Sequence, residues 1–207
     1  MSRIDLVVGP NGAGKSTFVE FVLARVRPGT PFVNADLIAA ERWPDDPMGH
    51  GHDAGRAAAS IRDAFIDAGE SFIAETVASH PSKVDLVRRA VDAGHHVHVI
   101  VVAVPEDLAV ARVRSRVDTG GHDVPEDRIR ARWVRLWEHV AQMIEMANSA
   151  EVFDNSGSTP RTVAAFVEGE AVGALRWPDW IPEALTRRWQ DDPSDTERRS
   201  PPTSGRS

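Results

Sequence analysis

Apolar positions along this chain follow two periods in turn, and their alternation predicts an α/β fold. Short apolar, β-branched runs at residues 4–8, 31–34, 71–74, 96–104 and 151–153 read as five strands, the fourth the longest. Segments of helix-favouring composition lie between them. Residues 57–68 and 84–93 each close on a glycine, Gly69 and Gly94, at the place where a helix end turns left-handed. Pro105-Glu106-Asp107 and Pro125-Glu126-Asp127 start two more helices, because proline fits a first helical turn and acids there complement the helix dipole. The first of these should run to about Val117. The second should reach about Met146, with Ile129, Trp133, Leu136, Val140 and Met143 forming a core-facing stripe. Strand and helix in this rhythm predict βαβ units, arranged as three αβα layers around a mostly parallel sheet of about five strands.

From Trp177 the pattern changes. Residues 1–176 read as one domain and residues 177–190 as an extension carrying Trp177, Trp180 and Trp189, which should pin it onto the domain. Residues 191–207, rich in Pro, Ser, Thr and charge, are expected to be disordered. A length of 207 residues suffices for a core without metal or disulfide support, and the absence of cysteine removes thiol chemistry from any mechanism. No apolar run is long enough to span a membrane, and Met-Ser-Arg-Ile-Asp at the start lacks a signal-peptide core, so a soluble cytoplasmic protein is expected. A net charge of −7 argues against a large nucleic-acid surface, which calls for a basic domain.

The most specific chemistry lies directly after the first strand. Gly9-Pro10-Asn11-Gly12-Ala13-Gly14-Lys15-Ser16-Thr17 reads as a phosphate-binding P-loop opening a helix, with the fold of the P-loop NTPases. The glycines let backbone N–H groups wrap around phosphate oxygens at a helix N-terminus. Lys15 would reach the β- and γ-phosphates of ATP, and Ser16 would offer its hydroxyl to Mg2+.

Ligands of open α/β sheets bind at the carboxyl ends of the strands, so the acids there decide what the loop serves. The second strand ends in Val33-Asn34-Ala35-Asp36. Asp36 could act as a general base, hold magnesium through water, or simply cap a helix over residues 37–42. The third strand delivers Glu75, placed to bind substrate hydroxyls or a magnesium-bound water. No Asn-Lys-x-Asp guanine-reading run follows the fourth strand, and no long apolar segment ends in Asp-Glu, which sets aside a GTPase and a ring ATPase.

An arginine-rich segment follows instead: Arg112, Arg114 and Arg116, a Gly120-Gly121-His122 turn, then Arg128, Arg130, Arg132 and Arg135. Such a helical pair can act as a lid that brings guanidinium groups onto a transferring phosphoryl. Helical spacing puts Arg128, Arg132 and Arg135 on one flank of the apolar stripe and Arg130 on the other, so they cannot all face one ligand. Arg116, before the glycine pair, is the first candidate for phosphate contact, while His122 could bind phosphate or shape the turn. The clusters His50-Gly51-His52-Asp53 and His95-His96-Val97-His98 invite a metal reading that is set aside: His96 and His98 share one strand face with no third ligand expected near them, and a partly exposed edge of the strand accounts for them.

Taken together, these motifs resemble the zeta-toxin family of P-loop kinases. The matching features are residues 9–17, Val-Asn-Ala-Asp at 33–36, Arg56 nineteen residues before Glu75 in Ala-Glu-Thr, and Ala-Val-Pro at 103–105 with Arg116 eleven residues beyond Pro105. Residues 120–126 with Ile129-Arg130-Ala131-Arg132 resemble its short, stand-alone bacterial members. The resemblance implies ATP-dependent transfer of a phosphoryl group to a small-molecule hydroxyl, best known for UDP-N-acetylglucosamine. It makes Asp36 the base, Lys15 the phosphate ligand, Ser16 a magnesium ligand and Arg116 the lid arginine. It places Asn34, Arg56, Glu75 and Thr76 in the substrate pocket, and leaves His122, Arg130 and Arg132 as alternatives for a second lid contact. An antitoxin-like protein is an implied partner, and a nucleotide-binding regulatory module is the competing reading.

Overall fold

The computed structural model describes residues 2–118 and 124–190. Its first strand, β1 (Arg3–Val8), is buried at every position after Arg3, so it runs through the middle of the sheet with both faces covered. It pairs in parallel with β3 (Phe72–Thr76) on one side and β4 (His96–Ala103) on the other. Also parallel, β2 (Phe32–Val33) lies outside β3, and β5 (Ser149–Asp154) lies outside β4. Two strands absent from the sequence reading, β6 (Arg161–Val167) and β7 (Glu170–Ala171), then extend the sheet antiparallel. The expected five strands are thus present, but the sheet has seven in the order β2-β3-β1-β4-β5-β6-β7. β6 escapes a period-two search because its buried positions, Val163, Ala164 and Phe166, do not alternate, and a register shift at Val152/Phe153 accompanies it.

Helices cover both faces. After the glycine loop, α1 (Lys15–Phe18) passes through a π-helical turn (Val19–Leu23) into α2 (Ala24–Val26). These pack with α6 (Glu106–Asp118) on one face, where Phe18, Leu23, Val110 and Val113 meet Val7, Ile100 and Val102. On the other face α4 (Gly51–Asp67), α5 (Ser82–Asp92) and α7 (Glu126–Met146) cover Ile4, Leu6, Val8, Val97, Val99 and Val101. Alternate residues of β1 and β4 therefore enter opposite cores, as the pleat requires. The predicted stripe of α7 is buried apart from the half-buried Trp133, whose indole N–H donates to Val104 O at 3.0 Å.

α4 begins six residues before the expected start. Glycines and histidines at 50–55 are weak helix formers, but tertiary contacts hold them in the helix. The His50 ring stacks on Trp43 at 4.8 Å, and its Nδ1 lies 3.0 Å from Asp53 Oδ2. The second histidine cluster belongs to a central strand and not to a sheet edge: His96 and His98 reach Ser149 Oγ at 3.2 and 2.8 Å.

The tryptophan extension packs onto the core. Trp177 and Trp189 flank Phe166 of β6 with ring centroids 6.4 and 4.6 Å away, and the Trp189 indole donates to Gly169 O at 2.8 Å. Just before it, α8 (Glu183–Thr186) sets Arg187 and Arg188 against Glu138 of α7 at 2.5 and 2.6 Å. The expectation of disorder concerns residues that lie outside those described. Since Trp189 is half-buried, Trp189→Ala should cost about 2 kcal/mol of unfolding free energy, below the ~3–5 of a fully buried tryptophan. Urea denaturation measures it, and an unchanged midpoint would show that the extension adds no stability.

Candidate functional site

The crevice for a ligand lies where the chain leaves β1 in one direction while β3 and β4 flank it on opposite sides. The loop Gly9–Gly14 fills it under tight steric limits. A Cβ on Gly9 would stand 2.1 Å from Val102 O, and one on Gly12, whose φ is +74°, would stand 2.5 Å from Ala109 O of α6. Only glycine permits the loop to lie this close to β4 and α6.

Lys15 is buried at the start of α1, with its Nζ donating to Pro10 O at 3.0 Å and lying 3.7 Å from Glu75 Oε1. Burial pulls its pKa below the usual lysine value; Glu75 and Asp36 oppose that shift, and Arg116 adds to it. Three of the predicted site residues thus act on the ammonium group of the fourth. Ser16 Oγ and Asn34 Nδ2 both donate to Glu75 Oε2, at 2.8 and 2.9 Å. The third-strand acid is therefore held by the lysine, the serine and the second-strand asparagine.

Asn34 also decides which residue caps the next helix. Its Oδ1 accepts from Asp36 N at 2.7 Å and Leu37 N at 3.3 Å, making it the cap of α3 (Ala35–Arg42). The capping role weighed for Asp36 is corrected: the helix starts two residues earlier than expected, and the exposed Asp36 carboxylate stands in its first turn. Thr76 Oγ1 accepts from Ala78 N at 3.4 Å, and Ala78 takes a left-handed φ of 60°. That conformation costs a residue with a Cβ about 1 kcal/mol and fixes the path of the chain beyond Glu75.

The lid residues separate. Arg132 donates from Nη1 to Asn11 Oδ1 at 3.4 Å, against the glycine loop. Burial, with repulsion from Arg128 and Arg135, pulls its pKa below the usual arginine value, and Asp36 opposes. Arg130 is held by Glu126, Glu106 and Asp107 at 2.9, 3.1 and 2.9 Å, and the hydrogen bonds it donates to these acids raise its pKa. The charge of Arg130, one of the alternatives for the second lid contact, is thus engaged by three carboxylates in this structure. Arg56, expected in the substrate pocket, is exposed and forms an ion pair with Asp53 on its own helix. His122 lies outside the described residues.

Sequence reasoning missed Asn155, directly after β5. Its Nδ2 donates to Ala13 O at 2.7 Å and its backbone N–H to Ala103 O at 2.8 Å, buttressing the glycine loop from the β5 side. The strand-end rule that selected Asp36 and Glu75 would have found it. Beside it a cavity of about 420 Å³ opens, lined by Gly12, Gly14, Thr17, Phe21, Arg112 and Asn155, a size suited to a small ligand. The Ser16 hydroxyl and Glu75 carboxylate form a pair of hard oxygen donors, the type magnesium takes. Among the described residues, no three His, Cys, Asp or Glu side chains converge as a metal cage.

The glycine loop at the carboxyl end of β1, the buried lysine and the sheet order define a nucleotide-binding P-loop protein with a kinase-like αβα fold. Within that class, the sequence model of the zeta toxin family matches residues 3–173, and the chain belongs to this family. An uncharacterized protein of Haemophilus influenzae is 30% identical over 126 residues, covering 60% of this chain and 88% of that protein. In fold the chain is similar to the AvrRxo1-ORF1:AvrRxo1-ORF2 structure, with a TM-score of 0.65 at 13% identity over 83% of this chain. It spans 60% of the length of that chain. It is also similar to the PezAT chromosomal toxin-antitoxin system of Streptococcus pneumoniae, with a TM-score of 0.57 at 13% identity over 77% of this chain and 71% of that one.

Losing the Asn155 amide would leave the Ala13 carbonyl without its partner. Asn155→Ala should therefore weaken binding of a non-hydrolysable ATP analogue by about tenfold, the scale of one unsatisfied buried group. Calorimetric titration reads this, and wild-type affinity would exclude Asn155 from supporting the loop.

Proposed function

We propose that this protein transfers the γ-phosphoryl group of ATP to a hydroxyl of a small molecule, with a nucleotide sugar such as UDP-N-acetylglucosamine as the best-fitting acceptor class. The observation that carries the reading is the position of Asp36. Exposed in the first turn of α3, just after the cap Asn34 that also binds Glu75, it brings a carboxylate to the strand-end rim that holds Lys15, and its charge acts on both Lys15 and Arg132. Phosphoryl transfer is chiefly positioning and charge stabilisation, and these residue types supply both.

In this mechanism residues 9–17 hold the triphosphate, and Lys15 exchanges its contacts with Pro10 and Glu75 for β- and γ-phosphate oxygens. Ser16 would hold magnesium, which would supply positive charge to the phosphates. Asp36 accepts the proton of the acceptor hydroxyl as the hydroxyl oxygen bonds to the γ-phosphorus and the bond from that phosphorus to the β,γ-bridging oxygen breaks, releasing ADP. Arg116 and Arg132 bear on the transferring group, and Glu75, with Asn34 and Thr76 beside it, orients the acceptor. The cavity beside Thr17 and Arg112 takes the nucleoside of ATP. An antitoxin-like protein partner is part of the proposal, since both fold neighbours were solved as two-component systems. The cytoplasm is the proposed location.

Incubation with labelled ATP, magnesium and a panel of hydroxyl compounds that includes UDP-N-acetylglucosamine tests the reading. Label should move into one compound; release as inorganic phosphate alone would turn the assignment to a regulatory ATPase. Asp36→Ala should retain ATP binding and lose transfer by at least ~100-fold, the lower range for loss of a general base. Near-normal turnover would remove Asp36 from that role. Arg132→Ala should slow transfer far more than Arg130→Ala, whose charge three acids already hold, and equal losses would sink the distinction between them.

A further inference from the structure

One face of α7 carries a row of basic side chains, and contacts at two of its positions show where that face is turned. Arg128, Arg132, Arg135 and His139 are spaced four, three and four, so they stand one above another along the helix. Arg132 reaches Asn11 of the glycine loop at 3.4 Å. Further along, His139 donates from Nδ1 to Ala78 O at 3.0 Å, in the loop that follows Glu75. β1 and β3 are neighbours in the sheet, so this face of α7 bridges the loops at their carboxyl ends and overlooks the gap between them.

Arg135 lies between the two anchors. Along the helix axis it is about 4.5 Å from Arg132 and about 6 Å from His139, and a long helical side chain leans toward the N-terminus of its helix, here toward Arg132. It makes no hydrogen bond or ion pair among the described residues, in a chain with 31 acidic and 24 basic side chains. Its neighbours differ. Arg114 and Arg130 are both taken by Glu126, while the repulsion of Arg135 helps to pull the Arg132 pKa down. Two guanidinium groups one turn apart on a helix repel each other until an anion joins them. The donor's phosphates already have Lys15 and the glycine loop. Arg135 stands one turn further on, toward the loop that leaves Glu75, and therefore on the acceptor's side of the gap.

We propose that Arg135 is a specificity-determining residue that binds an anionic group of the acceptor, a phosphate or diphosphate held about one helical turn, ~5 Å, from the hydroxyl that receives the phosphoryl group. The proposal rests on the kinase reading and narrows it. Arg132 bears on the transferring group, Arg135 reads the acceptor's own phosphate, and a compound offering the same hydroxyl without an anion is a poor substrate.

The full chain, its glycine loop filled by a non-hydrolysable ATP analogue and magnesium, is titrated calorimetrically with pyrophosphate. Wild-type protein should bind it, and Arg135→Met should weaken binding by about tenfold or more, the scale of a lost charged hydrogen bond. Arg25→Met, which removes an exposed arginine from α2 on the opposite face of the sheet, should change nothing. Because Arg135 is exposed, its variant should melt with the wild type. In the transfer assay Arg135→Met should raise KM for UDP-N-acetylglucosamine by a similar factor, leave KM for ATP unchanged, and leave the slow turnover of free N-acetylglucosamine unchanged. Failure of the wild type to bind pyrophosphate, or affinity unaltered by Arg135→Met, overturns the anion site, and equal weakening by Arg25→Met reduces it to the general field of the protein. A lowered kcat with unaltered KM for UDP-N-acetylglucosamine places Arg135 on the transferring phosphoryl group and overturns the acceptor assignment. Arg135-dependent pyrophosphate binding without transfer to any compound overturns the kinase reading and leaves the anion site standing.

Discussion

The buried ammonium group of Lys15 is the constraint around which the site is organised. A cation out of water needs anionic or carbonyl oxygen, and Pro10 O and Glu75 supply it. Glu75 is in turn fixed by Ser16 and Asn34, while Asn34 caps α3 and thereby sets Asp36 in that helix's first turn. One run of polar contacts thus joins the ends of β1, β2 and β3. Removing the carboxylate would leave an uncompensated buried charge, a change that costs about 3–5 kcal/mol in well-studied buried pairs. The same charge is what an arriving phosphate would meet, so binding exchanges one anion for another instead of desolvating the lysine afresh.

Much of this was legible in the sequence, and each part that was not has a specific cause. The glycine loop was readable because its residues are contiguous in the chain, although the groups that deny Gly9 and Gly12 a Cβ, Val102 O and Ala109 O, come from β4 and α6. Asp36 and Glu75 were found by the rule that ligands gather at strand ends. The choice of cap was not readable, since Asn and Asp cap equally well and Asn-Ala-Asp offers both. Nor could composition separate Arg130 from Arg132. Residues two apart on a helix point to different flanks, and only the tertiary approach of Glu106 and Asp107 shows which one is neutralised.

The missed strands have a mechanical consequence. β6 and β7 continue the sheet beyond β5 and give the tryptophan extension a surface to cover through Phe166. Arg187 and Arg188 then tie that extension to Glu138 of α7, the helix that also carries Arg132. The far edge of the sheet therefore steadies the element that presents a guanidinium to the glycine loop. A site that works by positioning gains from such rigid supports, because small displacements of the charged groups lower transition-state stabilisation steeply.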